Sequence, residues 1–171
     1  MPAGDRVRPT QDRVRGALYS MLAELIPGAR VLDLFAGSGA VGIEAVSRGA
    51  AEAVWVEADR RHAAILRANV QAFGAPGVVV CDDVLRWLRR GPTERIFDLV
   101  FADPPYEWAQ EHGFAEVAEL LQTRGLLRAG GILVTEQPAE LPAEAYAAWE
   151  LLRDRAYGHT RLVVYRLTDK E

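Results

Sequence analysis

The feature that most constrains this chain is the alternation of short apolar stretches with helix-patterned or turn-forming ones. Arg30-Val-Leu-Asp-Leu-Phe35 reads as a buried strand, residues 37–39 as a tight glycine turn, and 40–48 as a helix ended by Gly49. The pattern then repeats, with strands expected at about 53–57, 78–81, 96–102 and 131–136 and helices at about 60–73, 84–90 and 111–123. Alternation of this kind specifies a parallel sheet covered on both faces and wound right-handedly. Strand-like stretches at about 149–154 and 161–167 close the chain and can form an antiparallel hairpin. The expected class is α/β, a doubly wound, mostly parallel seven-stranded sheet with an antiparallel C-terminal strand.

Ahead of that core, Val14, Leu18, Met21, Leu22 and Leu25 recur at helical spacing, so an amphipathic first helix is expected over residues 10–25 with Thr10 capping it. At 171 residues the chain is read as one domain, an N-terminal arm and helix over 1–27 followed by the core over 28–171. Residues 138–145 are expected as a surface loop, because Pro138 and Pro142 resist a central strand.

Charge does not advertise a polyanion partner, since 20 basic residues face 24 acidic ones for a net −4. Basic residues are locally grouped, however, at Arg6, Arg8, Arg13 and Arg15 and again at Arg86, Arg89, Arg90 and Arg95. The second group is equally consistent with a solvated surface. The single cysteine, Cys81, excludes an internal disulfide and reads as a small apolar residue ending a strand. No His cluster accompanies it, so no metal is expected. The apolar runs are too short to span a bilayer, so no membrane partner is expected, and cytoplasm is the expected location. Among the histidines, His62 is expected in solvent and His159 in a turn near the site.

Gly37-Ser-Gly-Ala-Val-Gly42 satisfies G-x-G-x-x-G directly after a strand, and Glu57 falls twenty positions after Gly37, where an acid that accepts from ribose hydroxyls belongs. Spacing alone admits either NAD or S-adenosylmethionine, because both carry adenosine. Asp33 separates them, as a carboxylate inside an apolar strand that needs donors. The ammonium of S-adenosylmethionine supplies one, and loop amides over 36–39 can help. Asp82 and Asp83 follow the third strand at the carboxyl edge of the sheet, with Asp83 the choice for the adenine amino group and helix capping its equally plausible job.

Asp103-Pro-Pro-Tyr106 is the most specific element, emerging at the same edge after the fourth strand. Two prolines fix φ and remove two donors, leaving a rigid corner whose carbonyls and carboxylate only accept. Such a corner suits an NH2 group. An exocyclic base amine is a poor nucleophile, and accepting its hydrogens at Asp103 and the Pro104 carbonyl localises its lone pair toward a methyl donor. Tyr106 can stack on the base, worth about 1–3 kcal/mol.

With these residues assembled, the chain resembles class I methyltransferases and, among them, the bacterial 16S rRNA guanine-N2 methyltransferases. The likeness is carried by Arg8-Pro-Thr-Gln-Asp-Arg-Val-Arg15, Leu32 to Ala45, Val56-Glu-Ala-Asp59, Asp103 to Tyr106 and Tyr157-Gly-His-Thr-Arg-Leu162. It implies S-adenosylmethionine as cofactor, held by Asp33, Phe35, Ala36, Gly37, Ser38, Gly39, Glu57, Ala58, Asp83, Val84 and Asp103. It implies Asp103, Pro104 and Tyr106 as catalytic residues, and Arg8, Thr10, Arg13, Pro105 and Tyr106 as contacts to the RNA. The implied partner is 16S rRNA or a partially assembled small ribosomal subunit, met by a monomer. Such relatives usually carry a basic, glycine-containing segment ahead of the Arg-Pro-Thr stretch, where this chain has seven residues, a difference that bears on RNA affinity. Two other enzymes fit parts of the pattern: an adenine-N6 methyltransferase shares the proline motif, and an NAD-dependent oxidoreductase the glycine spacing. A non-catalytic RNA-binding module that keeps the fold is the third alternative.

Overall fold

The structure, a computed structural model, describes residues 9–91 and 94–169, with side chains from residue 12 onward. Its sheet has seven strands in the order β3-β2-β1-β4-β5-β7-β6. These are β1 (Arg30–Leu34), β2 (Glu52–Glu57), β3 (Gly77–Cys81), β4 (Phe97–Ala102), β5 (Leu127–Pro138), β6 (Trp149–Tyr157) and β7 (Thr160–Leu167). β1 to β5 pair in parallel, and β7 alone runs against both of its neighbours. The expected class and strand count therefore hold.

Helices cover both faces. On one, α1 (Pro9–Leu22), α2 (Ala40–Ser47) and α3 (Arg60–Phe73) bury Leu18, Tyr19, Ala45 and Leu66 against Val31, Trp55 and Phe101. On the other, α4 (Val84–Arg90), α5 (Tyr106–His112) and α6 (Ala115–Thr123) bury Leu88, Ala109 and Leu121 against Leu32, Val100 and Leu133. Strand side chains alternate between faces, so the apolar runs of β1, β2 and β4 feed both layers at once.

Several boundaries differ from expectation. α1 begins at Pro9, a residue suited to a first turn, so Thr10 lies within the helix and not at its cap. The helix ends at Leu22, where the Leu25 and Ile26 amides fold back onto the Leu22 carbonyl, and Leu25 is left 45% exposed. The single helix expected over 111–123 is two, broken at Gly113, whose φ of 63° is unfavourable for any side chain. β5 runs as far as Pro138, longer than expected, and the proline is tolerated as its last residue. Cys81 is exposed, because β3 is an edge strand.

Sequence order reverses between β1 and β4, the central pair. At such a switch point the loops leaving the two strands diverge to opposite faces and open a crevice at the carboxyl edge. The glycine loop, Glu57, Asp82-Asp83 and the proline corner all leave the sheet at that edge.

Candidate active site

The glycine loop leaves β1 at Phe35, the one described non-glycine residue with positive φ, at 58°. A bulky residue there carries strain on the order of 1–3 kcal/mol. Its ring is held against Trp108 of α5, centroids 4.6 Å apart, and Trp108 stacks in turn on His112. The glycine loop and the helix that carries the proline motif are thus joined by one aromatic contact.

Behind the loop, packing is tight. A Cβ on Gly39 would stand 2.2 Å from Leu66, and one on Gly42 2.3 Å from the Trp55 indole nitrogen. In front it is open: Gly37 has φ of 56°, and a Cβ there would meet nothing. A backbone packed behind and bare in front is a cradle for a ligand that approaches the chain itself.

Both oxygens of Glu57, which is 9% exposed, accept backbone hydrogens, Oε2 from Gly37 at 2.7 Å and Oε1 from Asp59 at 2.9 Å. Glu57 therefore shapes the loop as well as offering its remaining lone pairs to a ligand. Asp33 is held differently from expectation. Its Oδ2 accepts from the Gly42 amide of α2 at 2.9 Å, while the loop amides of Gly37 and Gly39 are taken by Glu57 and the Ala36 carbonyl. Burial pushes its carboxyl up to about 7; the Gly42 hydrogen bond opposes this and nearby Glu57 adds to it. No basic side chain among the described residues pairs with it. A buried acid in that condition suits a cationic ligand.

At the next motif, Asp83 is exposed and caps α4, its Oδ1 accepting from the Arg86 amide at 2.9 Å. Val84 is 2% exposed and packs in the core, leaving only its backbone for an adenine. Asp82 binds the Arg86 and Arg90 guanidinium groups, and Arg89 binds Glu116. That basic group is largely satisfied by acids of this chain. Ala58 and Ser38 are exposed, and the Ser38 carbonyl accepts from Asn69.

Asp103 follows β4, with Pro104 buried and Tyr106 opening α5 with 51% of its surface exposed. Among the described residues no hydrogen bond occupies the Pro104 carbonyl, whereas that of Pro105 accepts from Ala109. Beside Asp103 lies a residue that sequence reading missed. β4 and β5 pair Ala102 with Thr135, so the next position on each strand sets Asp103 against Glu136. Their carboxyl groups stand close enough to perturb each other's ionisation. Asp103 is exposed on its outer side and Glu136 half-buried; desolvation by the protein packed around the rest of the group, then the neighbouring Glu136 and Asp33 charges, raises Asp103, while desolvation raises Glu136 against the opposing effects of Asp103 and Arg15.

Two recesses meet at this pair. One of about 120 Å³ is walled by α1 through Arg15, Leu18 and Tyr19. The other, of about 170 Å³, reaches Tyr106, Gln137, His159 and Thr160. His159 thus lies near the site, as expected, whereas His62 is exposed beside Asp59. Arg8 lies outside the described residues, as does the Thr10 side chain. Arg13 is exposed and Arg15, two positions on, lines the recess.

A switch-point cradle, a buried unpaired acid and an acceptor-only proline corner on one sheet edge define a class I methyltransferase. The chain belongs to the family described as Conserved hypothetical protein 95, whose model matches residues 1–166. It is 36% identical to the Ribosomal RNA small subunit methyltransferase D of Escherichia coli, over all of this chain and 83% of that one. The solved structure of yhhF from Escherichia coli superposes with a TM-score of 0.84 at 34% identity, covering 95% of this chain and 89% of that one. SMU.776, solved with S-adenosylhomocysteine, is similar at a TM-score of 0.69 over 94% of this chain and 50% of its own; at 18% identity that likeness speaks for the fold.

Proposed function

We propose that this chain transfers a methyl group from S-adenosylmethionine to the exocyclic N2 amine of a guanine in 16S rRNA. The observation that carries the reading is the corner at the end of β4, where the Asp103 carboxylate and the unoccupied Pro104 carbonyl offer two acceptors and no donor beside the glycine cradle.

Bound in that cradle, the cofactor supplies an electrophilic methyl on a cationic sulfur. The chain's residues do the rest. Phe35 to Gly39 and Glu57 would line its course, and the negative cluster of Asp33, Asp103 and Glu136, opposed by Arg15, favours its positive charge over the pyrophosphate of NAD. Asp103 and the Pro104 carbonyl each accept one amine hydrogen and aim the nitrogen lone pair. As the amine nitrogen takes up the methyl, one of its protons would pass to the Asp103 carboxylate. Tyr106, half-exposed at the start of α5, supplies the stacking face. Positioning of this kind is worth several kcal/mol of barrier without a metal.

The name of the Escherichia coli relative supports small-subunit rRNA as the substrate class. Action as a monomer on partially assembled particles belongs to the same proposal. The test is transfer of labelled methyl to deproteinised 16S rRNA and to particles from a strain lacking the enzyme. Incorporation into either is expected, and absence from both would leave a non-catalytic RNA module as the better reading.

A further inference from the structure

Glu136 has no place in the amine-holding corner, yet its carboxyl lies beside the Asp103 carboxyl and lines both recesses that meet there. Strand register fixes this. Alternation along β5 turns Glu136 toward the α1 side, the same side to which alternation along β4 turns Asp103. Arg15 comes to the same recess from α1 and is the cation nearest in effect to Glu136.

Asp103, Glu136 and Arg15 therefore line one recess, with Glu136 beside Asp103 and the Arg15 charge felt by Glu136. The Watson–Crick edge of guanine presents the N2 amine as donor, N1–H as donor and O6 as acceptor. Adenine presents the N6 amine as donor and N1 as acceptor, with nothing at the third position. We propose that Glu136 and Arg15 read the guanine edge, Glu136 accepting from N1–H and Arg15 donating to O6, while Asp103 holds the N2 amine. The inference rests on the guanine reading above and says which residues enforce it. An adenine in the same pose would set its N1 lone pair against the Glu136 carboxylate, leaving two acceptors face to face. Discrimination by a charged contact of this type is worth at least about tenfold.

Both carboxyls are raised in the free protein, and the arrival of two guanine donors favours loss of the Glu136 proton. If it were retained on Glu136, an adenine-like edge would be accepted instead, and the same assay reads this outcome.

The experiment first locates the methylated nucleotide in 16S rRNA by mass mapping. Absence of N2-methylguanosine there defeats the functional reading, whatever Glu136 does. RNA is then assembled by ligation with guanosine or 2,6-diaminopurine at that nucleotide. Diaminopurine keeps the N2 amine but replaces N1–H with a lone pair and O6 with an amine. The unaltered protein is expected to favour guanosine at least about tenfold in kcat/KM, and Glu136→Gln, whose amide both donates and accepts, to narrow that ratio about tenfold. Any loss of S-adenosylmethionine affinity in the variant, measured by calorimetry, cancels from that ratio, because both RNAs are compared at one saturating cofactor concentration. Equal rates on the two bases with the unaltered protein, or a ratio unmoved in Glu136→Gln, overturns the proposal. The first arm needs no variant to fold.

Discussion

Asp33→Asn is expected to make the protein more stable at neutral pH and worse at its task. In the fold the Asp33 carboxyl titrates near 7 against 3.8 ordinarily, chiefly because it is buried. A carboxyl raised in the native state binds more protons folded than unfolded between those values, so stability falls as pH rises through that window and the loss is complete above about 7. Roughly three pKa units correspond to about 4 kcal/mol. Asparagine keeps an oxygen for the Gly42 amide but adds an NH2 whose burial without an acceptor costs about 1–3 kcal/mol. At pH 8 the variant should thus be about 1–3 kcal/mol more stable. Near pH 4.5, where Asp33 is protonated, the advantage should vanish or reverse. Urea unfolding followed by tryptophan fluorescence from pH 4.5 to 8 measures the difference, and calorimetry should show S-adenosylmethionine affinity reduced at least about tenfold. Parallel stability curves for the two proteins would refute the argument, since Asp33 would then ionise as though in water.

Gly37→Ala and Gly39→Ala separate the two sides of the loop. Both acquire backbone strain, but only the Gly39 Cβ clashes, at 2.2 Å from Leu66, so a loss of about 2–4 kcal/mol is expected there by urea unfolding. Gly37→Ala should cost about 1–2 kcal/mol while weakening cofactor binding more than its stability loss explains, read by calorimetry. Trp108→Ala removes the contact between Phe35 and α5 and, Trp108 being half-buried, should cost about 2–3 kcal/mol by urea unfolding, less than a fully buried aromatic. Methyl transfer should rise with pH as the raised Asp103 and Glu136 carboxyls lose their protons, with Asp33 delaying that loss at Asp103 and Arg15 favouring it at Glu136; a kcat/KM profile flat from pH 6 to 9 would contradict this.

What the sequence made legible was whatever carries its own local pattern. The strand runs, the glycine turn and the proline corner each satisfy a backbone requirement over a few residues, and all stand at one sheet edge as their positions after strands require. Glu136 has no such signature. Its role comes from standing beside Asp103 across two strands, a pairing set by register over 33 positions of chain. The usable signal was Thr135-Glu-Gln137, polar residues ending an apolar run just as Asp103 does. Asp33 was recognisable as a buried acid, but the amide that supports it was placed in the glycine loop, because Gly42 reaches it only once α2 folds over the end of β1. Gly113 marked the break between α5 and α6, and helical periodicity across it concealed the break. Asp83 carried two readings of equal weight; the fold shows the cap, which takes one of its two carboxylate oxygens.

The central claim is that the corner at Asp103 presents a guanine N2 amine for methylation. Nucleoside mass spectrometry of 16S rRNA from particles treated with the protein and labelled S-adenosylmethionine tests it directly. N2-methylguanosine should appear with the unaltered protein and be absent with Asp103→Ala, which should still bind the cofactor. N6-methyladenosine in its place, or N2-methylguanosine formed undiminished by Asp103→Ala, would contradict it.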